Sequence, residues 1–259
     1  MFLDEIVAYK KFEIAWQKEK VPLRHLERNL ANLPSTRPFK NALRQKEKIS
    51  LIAEIKKASP SRGPFDLKIS PAEIAQIYTQ AGAAAISIVT ETKYFSGQTE
   101  FLALVRPQTG LPLLRKDFII DPYQIIEARF YGADAILLIV AILSNQELAA
   151  ADRLAAELGL ACLVEVHTKE ELKRALAGGA RIIGFNNRNL QTFQTDLTTT
   201  CRLREYITDP DVVIVSESGI TSYQDILALQ ACRVNAVLVG EALMQSPDPA
   251  AKIKELLGG

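Results

Sequence analysis

The stretch ADAILLIVAILSNQELAAADRLAAELG, residues 133–159, contains one complete structural unit of this chain. It opens with an almost continuous apolar run, which is typical of a β-strand in a parallel sheet that is buried on both faces. From Ser144 onward, apolar residues recur at spacings of three and four, which predicts an amphipathic helix. Ser144 is a favourable helix N-cap and Gly159 a favourable C-cap. The stretch therefore predicts a strand followed by a helix.

The same unit recurs from Ile49 to the end of the chain. Its strand half is recognisable eight times, as ISLIAEI, AAAISIVT, LPLLRKDF, ADAILLIV, ACLVEV, RIIGFNN, DVVIVSES and NAVLVGEAL. Helical spacing is found between these runs, in PAEIAQIYTQAG, DPYQIIEARFYGA, TKEELKRALAGGA and SYQDILALQAC. Eight such units predict a closed (β/α)8 TIM barrel over residues 49–259. The rival fold, an open doubly wound sheet, usually carries a GxGxxG turn after its first strand, and the sequence lacks one.

Residues 1–48 differ in pattern from the rest of the chain. EIVAYKKFEIAW and LRHLERNL have helical spacing, and this segment contains no strand pattern. We expect these extra N-terminal helices to cap one end of the barrel. Because no linker or low-complexity tract interrupts the chain, we expect residues 1–259 to form a single domain.

The composition excludes several classes of partner. The 259 residues include 31 basic and 30 acidic side chains, so the chain has no electrostatic footprint for nucleic acid or for an anionic membrane. The predicted partner is a small molecule, and the sequence identifies no protein partner. The N-terminus lacks the apolar segment of a signal peptide, and no apolar run approaches the roughly 18 residues that span a bilayer. We expect a soluble, cytoplasmic protein.

The cysteines and histidines predict neither a metal site nor a disulfide framework. Cys162, Cys201 and Cys232 are far apart and show no CxxC spacing, and the two histidines are too few for an ordinary zinc site. We therefore expect no metal ion and a reducing compartment.

Charged and polar side chains stand where the predicted strands end. Because side chains alternate along a strand, Glu54 and Lys56 share one face, and Lys116 shares a face with Leu114. The same alternation directs three later strand ends inward, those with Glu165, Asn186 and Glu217. Barrel enzymes work at the carboxyl ends of their strands, so we expect these side chains to converge on one reaction space.

Each of these residues alone could be a structural ion pair or a solvated rim residue. Convergence of five strand ends favours a site, because a buried charge costs several kcal/mol unless it pairs or binds a ligand. His167 lies two residues beyond Glu165, and we interpret it as a polar residue of the rim.

Two late turns predict a phosphate site. SESG, residues 216–219, follows the seventh strand, and VGEAL, residues 239–243, follows the eighth. Barrels of this kind recurrently bind phosphate at these loops. Gly219 and Gly240 let backbone N–H groups approach an oxyanion, and Ser59 could donate its hydroxyl from the first loop. An apolar wall could come from Phe95, Phe118, Leu137, Ile139 and Leu190, although packed core is the alternative for Leu137 and Ile139.

Several strings of the sequence resemble the indole-3-glycerol-phosphate synthase family. They are RPF, AEIKKASPSRG, TETKYFSG, LLRKDFIID, ADAILLIVAIL, LVEVH, IGFNNRNLQTF, VSESGI and VGEALM, in order from residue 37 to residue 244. The resemblance implies a TIM-barrel carboxy-lyase of tryptophan biosynthesis that uses no cofactor. Its implied substrate is 1-(o-carboxyphenylamino)-1-deoxyribulose 5-phosphate, which closes a ring and loses carbon dioxide and water to give indole-3-glycerol phosphate.

The resemblance also implies roles for individual residues. The catalytic and polar substrate shell would consist of Glu54, Lys56, Lys116, Glu165, Asn186 and Glu217. The remaining substrate contacts would come from Arg188, Ser218, Pro60, Phe95, Phe118, Leu137, Ile139 and Leu190. Phosphate would be bound by Ser59, Gly219, Gly240 and the backbone of Glu241. Some members carry a serine in place of Glu241, and since a carboxylate cannot donate, we expect its side chain to point away.

Within the implied mechanism we assign Lys116 as the acid that protonates the ketone oxygen during ring closure, held charged by Glu54 and Glu165. Lys56 either contacts the substrate carboxylate or serves as the acid of the final dehydration, and the sequence leaves both open. Glu165 is the expected base of that dehydration. Glu54 and Asn186 would orient the lysines and the substrate hydroxyls.

Other readings stay open on the sequence alone. A Schiff-base aldolase would use Lys56 or Lys116 as a nucleophile. A phosphoribosyl anthranilate isomerase would share the phosphate loops but would not need the paired Glu54 and Lys56. A binding module without catalysis would not need the lysines and glutamates of the strand ends.

Overall fold

Eight parallel strands form a closed barrel in the part of the chain that the computed structural model describes, residues 2–45, 48–60, 62–65, 69–189 and 192–259. In chain order they are β1 Ser50–Ile55, β2 Ala85–Val89, β3 Leu113–Lys116, β4 Ala135–Ile139, β5 Ala161–Val166, β6 Ile182–Asn186, β7 Val213–Glu217 and β8 Ala236–Val239. Each strand pairs with the next in the chain, and β8 pairs with β1 to close the barrel. The predicted (β/α)8 barrel is confirmed.

Helices alternate with the strands, and further helices precede the first strand and follow the last. They are α1 Phe2–Lys20, α2 Leu23–Leu30, α3 Phe39–Ala42, α4 Pro71–Ala81, α5 Glu100–Val105, α6 Pro122–Phe130, α7 Asn145–Glu157, α8 Lys169–Ala177, α9 Thr198–Arg204, α10 Tyr223–Ala231, α11 Glu241–Met244 and α12 Pro249–Leu256. Short 3-10 turns occupy Arg106–Gln108 and Val140–Ile142, and Ala58–Ser59 pairs with Gly63–Pro64. Sequence periodicity does not single out α5 or α9, whose six and seven residues are too short for a repeated apolar spacing.

Polar side chains determine where the principal helices begin. At α7 the Ser144 hydroxyl accepts a hydrogen bond from the Glu147 N–H at 3.2 Å, and the Glu147 carboxylate accepts one from the Ser144 N–H at 2.7 Å. This reciprocal capping box satisfies backbone donors that the first helical turn leaves unpaired. The same arrangement begins α4, α6 and α10, at Ser70, Asp121 and Ser222.

The apolar core has two layers, because strand side chains alternate between the barrel interior and the surrounding helices. The interior layer includes Ile52, Leu114, Leu137, Leu163, Val215 and Leu238. The layer between strands and helices includes Ile55, Ile88, Ile136, Val166 and Ile214. Interior residues stand two positions before Glu54, Lys116, Glu165 and Glu217, so these four side chains share the inward direction that their spacing predicts.

The N-terminal segment packs at one end of the barrel, as expected, and also reaches the other end. Phe39 and Leu43 belong to the same buried cluster as the interior layer, and the hydroxyl of Ser50, the first residue of β1, donates to the Ala42 carbonyl at 3.2 Å, so α3 lies at the amino-terminal end. Leu3, in α1, lines the cavity at the opposite end. Between the two ends, α2 packs against α6.

Lys10 joins α1 to the end of β3 through a buried ion-pair network. Its Nζ lies 2.9 Å from Asp117 Oδ1 and 2.5 Å from Glu13 Oε2, and Arg115 Nη2 lies 3.2 Å from Asp117 Oδ2. Burial lowers the pKa of Lys10, but the two carboxylates outweigh that effect and raise this pKa. The ammonium therefore stays charged and ties the extension to the barrel.

Cys201 and Cys232 form a disulfide, with Cα atoms 5.3 Å apart. Cys201 lies in α9 and Cys232 follows α10, so the fold brings together two residues whose separation of 31 positions carries no spacing signal. The reducing compartment expected from the sequence is not supported by this bond, since disulfides are rare in such compartments.

We predict that Lys10→Met destabilises the protein by about 3–5 kcal/mol, because it leaves the Glu13 and Asp117 carboxylates buried without their cation. Lys18→Met is the matched control on the same helix. Lys18 pairs with Asp121 at 2.7 Å, but its side chain is 43 % exposed, so we expect a loss of about 0–1 kcal/mol. Urea unfolding followed by circular dichroism measures both, and equal losses in the two variants would contradict the network.

Candidate active site

A cavity of about 790 Å³ opens at the carboxyl ends of the strands. Every candidate residue that the structure describes lines it, namely Glu54, Lys56, Ser59, Pro60, Phe95, Lys116, Phe118, Leu137, Ile139, Glu165, Asn186, Arg188, Glu217, Ser218, Gly219, Gly240 and Glu241. Leu190, the remaining candidate, lies outside the described residues. The structure thus brings the candidates together, while their individual roles stay predictions.

Lys116 ends β3 among buried carboxylates. Its Nζ donates to Glu165 Oε2 at 3.2 Å and lies 3.4 Å from Glu217 Oε2. Burial lowers the pKa of Lys116, but the charges of Glu165, Glu217 and Glu54 outweigh it and raise this pKa, so the side chain is an ammonium near neutral pH. Glu165 contacts Lys116 as expected, whereas the second contact comes from Glu217 and not from Glu54.

Glu165 and Glu217 contact the same ammonium but differ in charge state. Burial raises the pKa of Glu165, but Lys116, His167 and the Asn186 amide outweigh it and lower this pKa. Burial raises the pKa of Glu217 to about 7, aided by repulsion from Glu165. The site therefore holds one carboxylate that stays ionised and one carboxyl that keeps its proton more readily. Environments that push two pKa values apart are typical of acid and base partners.

Two glycines make room for buried carboxylates. Glu54 pairs with Lys56, whose Nζ lies 3.1 Å from Glu54 Oε1. A Cβ at Gly240 would collide with Glu54 Oε1, and a Cβ at Gly184 would collide with Glu217 Oε1. Gly240 thus has a steric role besides the predicted approach to phosphate. Sequence reasoning missed the role of Gly184, because the side chain that fills its space belongs to another strand.

An aromatic pair forms part of the cavity wall. The rings of Phe95 and Phe118 have centroids 6.4 Å apart, and Leu137 and Ile139 line the same cavity from β4. Leu137 and Ile139 also belong to the interior core layer, so the core and wall interpretations both apply to them.

Glu91 holds the loop that carries Phe95, and sequence reasoning missed it. Its buried carboxylate accepts hydrogen bonds from the backbone N–H groups of Lys93, Tyr94 and Phe95 at 3.1, 2.7 and 3.0 Å. Burial raises the pKa of Glu91 despite these bonds. The sequence signal that could have identified Glu91 is a carboxylate two to four residues before the three backbone N–H groups that it binds.

The turn after β7 has an unusual backbone conformation. Ser218 and Gly219 adopt φ values of 68° and 83°, and a Cβ at Gly219 would collide with the Thr195 side chain. Asn187 supports the turn, since its Nδ2 donates to Ser216 Oγ at 2.9 Å and to the Ser218 carbonyl at 3.0 Å. Asn187 was not among the candidates, because its position next to Asn186 turns it away from the barrel interior.

Glu241 does not point away from the site, so that expectation is wrong. Its carboxylate accepts from Arg62 Nε at 2.9 Å and from Arg188 Nη2 at 3.1 Å, and all three residues line the cavity. The two guanidinium groups attract the carboxylate to the cavity rim. Glu241 thereby links the first loop of the barrel to the loop after β6.

His167 is not a rim residue, as we had interpreted it. Its side chain is only 13 % exposed, and Nε2 lies 3.5 Å from Glu165 Oε1. The register of β5 and the start of α8 bury it beside Glu165, which the spacing alone did not reveal.

No metal cluster and no membrane span is found in the described part of the chain. Its His, Cys, Asp and Glu side chains include no group of three or more placed to hold a metal ion. None of its helices is both long and apolar enough to cross a bilayer.

The chain is similar to curated enzymes over its full length. A sequence model of the family described as indole-3-glycerol phosphate synthase matches residues 3–256. The indole-3-glycerol phosphate synthase of Dehalococcoides mccartyi (strain CBDB1) is 49 % identical over 261 residues, covering 99 % of this chain and 100 % of the relative. The enzyme of that name from Alkaliphilus metalliredigens is 46 % identical over 259 residues, covering 100 % of this chain and 99 % of the relative.

Solved structures share the fold at much lower identity. A thiamine phosphate pyrophosphorylase from Pyrococcus furiosus matches with a TM-score of 0.63 and 18 % identity, covering 84 % of this chain and 95 % of its own. A 3-hexulose-6-phosphate synthase from Salmonella typhimurium matches with a TM-score of 0.63 and 14 % identity, covering 81 % and 97 %. These likenesses support the barrel alone, whereas the family match extends over nearly every residue. The chain therefore belongs to the indole-3-glycerol phosphate synthase family.

Proposed function

We propose that the cavity converts 1-(o-carboxyphenylamino)-1-deoxyribulose 5-phosphate into indole-3-glycerol phosphate by general acid–base catalysis of its own side chains. The chain has the indole-3-glycerol phosphate synthase activity of its family, a carboxy-lyase reaction of tryptophan biosynthesis. The observation that carries the proposed roles is the Lys116 ammonium, buried between Glu165 and Glu217 at the centre of the candidate residues.

We place the substrate phosphate at the turns after β7 and β8 and its aryl ring against the apolar wall. The left-handed Ser218 and Gly219 turn presents backbone N–H groups, and Ser59 adds a hydroxyl from the first loop. Arg188 lines the same cavity and supplies positive charge. The carboxylate and ketone of the substrate then lie between these two ends, near Lys56 and Lys116.

Lys116 acts as the acid of ring closure. Attack of the aryl carbon on the ketone develops negative charge on the ketone oxygen, and a charged donor in a water-poor site stabilises that charge strongly. The proton passes from the Lys116 Nζ to this oxygen as the carbon–carbon bond forms. Glu165 and Glu217 keep Lys116 protonated until that step.

Loss of carbon dioxide and of water completes the reaction. We assign Lys56 to the substrate carboxylate, because a lysine beside an apolar wall binds the anion and still lets it leave as neutral carbon dioxide. Glu54 orients Lys56 through their 3.1 Å pair. After carbon dioxide has left, the Lys56 ammonium gives the hydroxyl the proton with which it leaves as water, and Glu165, kept ionised, is the base that removes a proton from the new ring.

The charge state of Lys116 disfavours the Schiff-base alternative. A lysine nucleophile must be neutral, and its pKa is lowered when it serves in that role. The pKa of Lys116 is raised instead, because three carboxylates outweigh its burial.

We also propose a phosphorylated small molecule as the partner and the cytoplasm as the location. The biosynthetic role of the family supports both proposals. The Cys201–Cys232 disulfide is unusual for the cytoplasm, and thiol titration of protein purified under anaerobic conditions measures whether it is present.

Lys116→Met is predicted to lower kcat by about 10²–10⁴ with a smaller change in KM, because the acid of ring closure is lost. Product fluorescence measures both constants. Lys57→Met is the control, since the Lys57 Nζ lies over the Phe101 ring at 4.5 Å, and Phe101 is part of the outer core layer. Near-normal turnover of Lys116→Met, or a borohydride-trapped adduct on Lys116 of the wild type, would contradict the assignment.

Glu165→Gln and Glu217→Gln are predicted to differ. Glu165→Gln removes an ionised base, so kcat falls by about 10²–10⁴ and the decline of activity toward low pH disappears. Glutamine resembles the protonated form of Glu217. At pH values below the Glu217 pKa of about 7, Glu217→Gln should therefore lower kcat less than Glu165→Gln does. The pH dependence of kcat for both variants is the measurement. Persistence of the acidic decline in Glu165→Gln would show that another group is the base.

Gly219→Ala is predicted to raise KM by about tenfold, because a Cβ meets both an unfavourable φ and the Thr195 side chain. Inorganic phosphate should inhibit this variant more weakly. Gly110→Ala is the control, since a Cβ there meets open space. If a folded Gly219→Ala variant kept its KM and its inhibition by phosphate unchanged, the proposal that phosphate binds at this turn would be wrong.

A further inference from the structure

His167 is a largely buried titratable side chain, 13 % exposed, that the mechanism above does not use, although it lies beside the proposed base. It follows β5 directly and lies before the first turn of α8. Its Nε2 is buried, and within the described residues no group hydrogen-bonds to it, while Glu165 Oε1 lies 3.5 Å away. The imidazole is therefore directed at the carboxylate that we assign to dehydration.

Glu171 holds the imidazole from the opposite side. Its Oε2 accepts a hydrogen bond from the His167 backbone N–H at 2.7 Å and lies 3.4 Å from His167 Nδ1. Glu171 stands in the first turn of α8, where Thr168 caps the helix, so its position is set by regular structure. One carboxylate thus fixes both the backbone and the ring of His167.

Four side chains form a series of alternating charge from the helix to the cavity, in the order Glu171, His167, Glu165 and Lys116. The charged groups facing the imidazole are Glu165 of β5, Glu171 of α8 and, farther away, Glu217 of β7. Burial lowers the pKa of His167, but Glu171 and these neighbouring carboxylates outweigh it and raise this pKa. An imidazolium is the form that such surroundings stabilise.

Both oxygens of Glu165 face a basic side chain. Lys116 contacts Oε2 and His167 lies beside Oε1. When Lys116 transfers its proton at ring closure, the positive charge next to Oε2 is lost. Burial raises the pKa of the nearby Glu217 although it contacts Lys116, which illustrates what burial does to a carboxyl in this cavity without sufficient positive charge. His167 is then the basic side chain that still faces Glu165, beside the Asn186 amide that donates to Oε1 at 3.2 Å, and both favour the ionised carboxylate for the later step.

We propose that His167 is a positioning residue for this reaction: as an imidazolium fixed by Glu171, it orients the Glu165 carboxylate and holds it ionised after Lys116 has given up its proton. The proposal rests on the assignment of Glu165 as the dehydration base. Substrate does not need to touch His167, which acts through Glu165 alone.

The pH dependence of kcat tests the proposal. His167→Gln removes the positive charge, so the pKa of Glu165 rises and the acidic decline of kcat moves to higher pH by about one pH unit, with KM nearly unchanged. Glu171→Gln keeps the imidazole but weakens its charge, so it should move the decline in the same direction by less. His25→Gln is the matched control, because His25 is the other of the two histidines and is exposed.

A double variant separates this inference from the assignment on which it rests. If Glu165→Gln abolishes the acidic decline and adding His167→Gln changes kcat no further, the two residues act as one unit. If Glu165→Gln abolishes the decline but His167→Gln leaves it in place, the present inference is overturned and the base assignment stands. If Glu165→Gln leaves the decline unchanged, the base assignment itself fails.

Nuclear magnetic resonance of the imidazole groups gives a readout that needs no activity. The chain has two histidines, so His25→Gln assigns both signals. We expect the pKa of His167 in the wild type to lie above the ordinary histidine value, and to fall in Glu165→Gln. A His167 signal that stays neutral throughout pH 5–8 would overturn the proposal, even if the His167→Gln protein did not fold.

Discussion

The charge balance around the Lys116 ammonium is the interaction on which the reaction end of this barrel depends. Isolated buried charges cost several kcal/mol each, so carboxylates at the ends of β1, β5 and β7 are tolerated only with cations among them. Lys116 neutralises Glu165 and Glu217, and Lys56 neutralises Glu54. The surroundings are unequal, because Glu165 also faces the His167 imidazole and accepts from the Asn186 amide. The pKa of Glu165 is lowered while that of Glu217 is raised, within one small space.

The same strand end also supports the N-terminal extension. Lys116 points into the barrel, so its neighbours Arg115 and Asp117 point outward by the alternation of the strand. On the outer side of the barrel, Asp117 forms ion pairs with both Arg115 and Lys10. These pairs bind α1 to the barrel next to the proposed acid. The lysine proposed as the acid and a buried structural network thus share three consecutive residues without competing for the same space.

Small and amide side chains give the charged residues their geometry. Gly184 and Gly240 leave the volume that Glu217 and Glu54 occupy, since any Cβ there would collide with a carboxylate oxygen. Asn187 supports the turn proposed for phosphate, and Glu91 holds the aromatic loop through three backbone amides. Sequence reasoning missed Gly184, Asn187 and Glu91, because their role is to support other residues of the cavity.

The amino-acid sequence alone determined the barrel, the helix starts and the inward direction of the strand-end residues, because apolar period, capping residues and strand alternation are local properties. It also brought Lys116, Glu165 and Glu217 into one predicted space. Only the tertiary structure decided that Glu217 rather than Glu54 contacts Lys116, that His167 faces Glu165, and that Cys201 meets Cys232. Those contacts depend on the register and curvature of separate strands and on how helices pack around them. Local spacing determines the direction of a side chain. It does not determine which distant residue that side chain contacts.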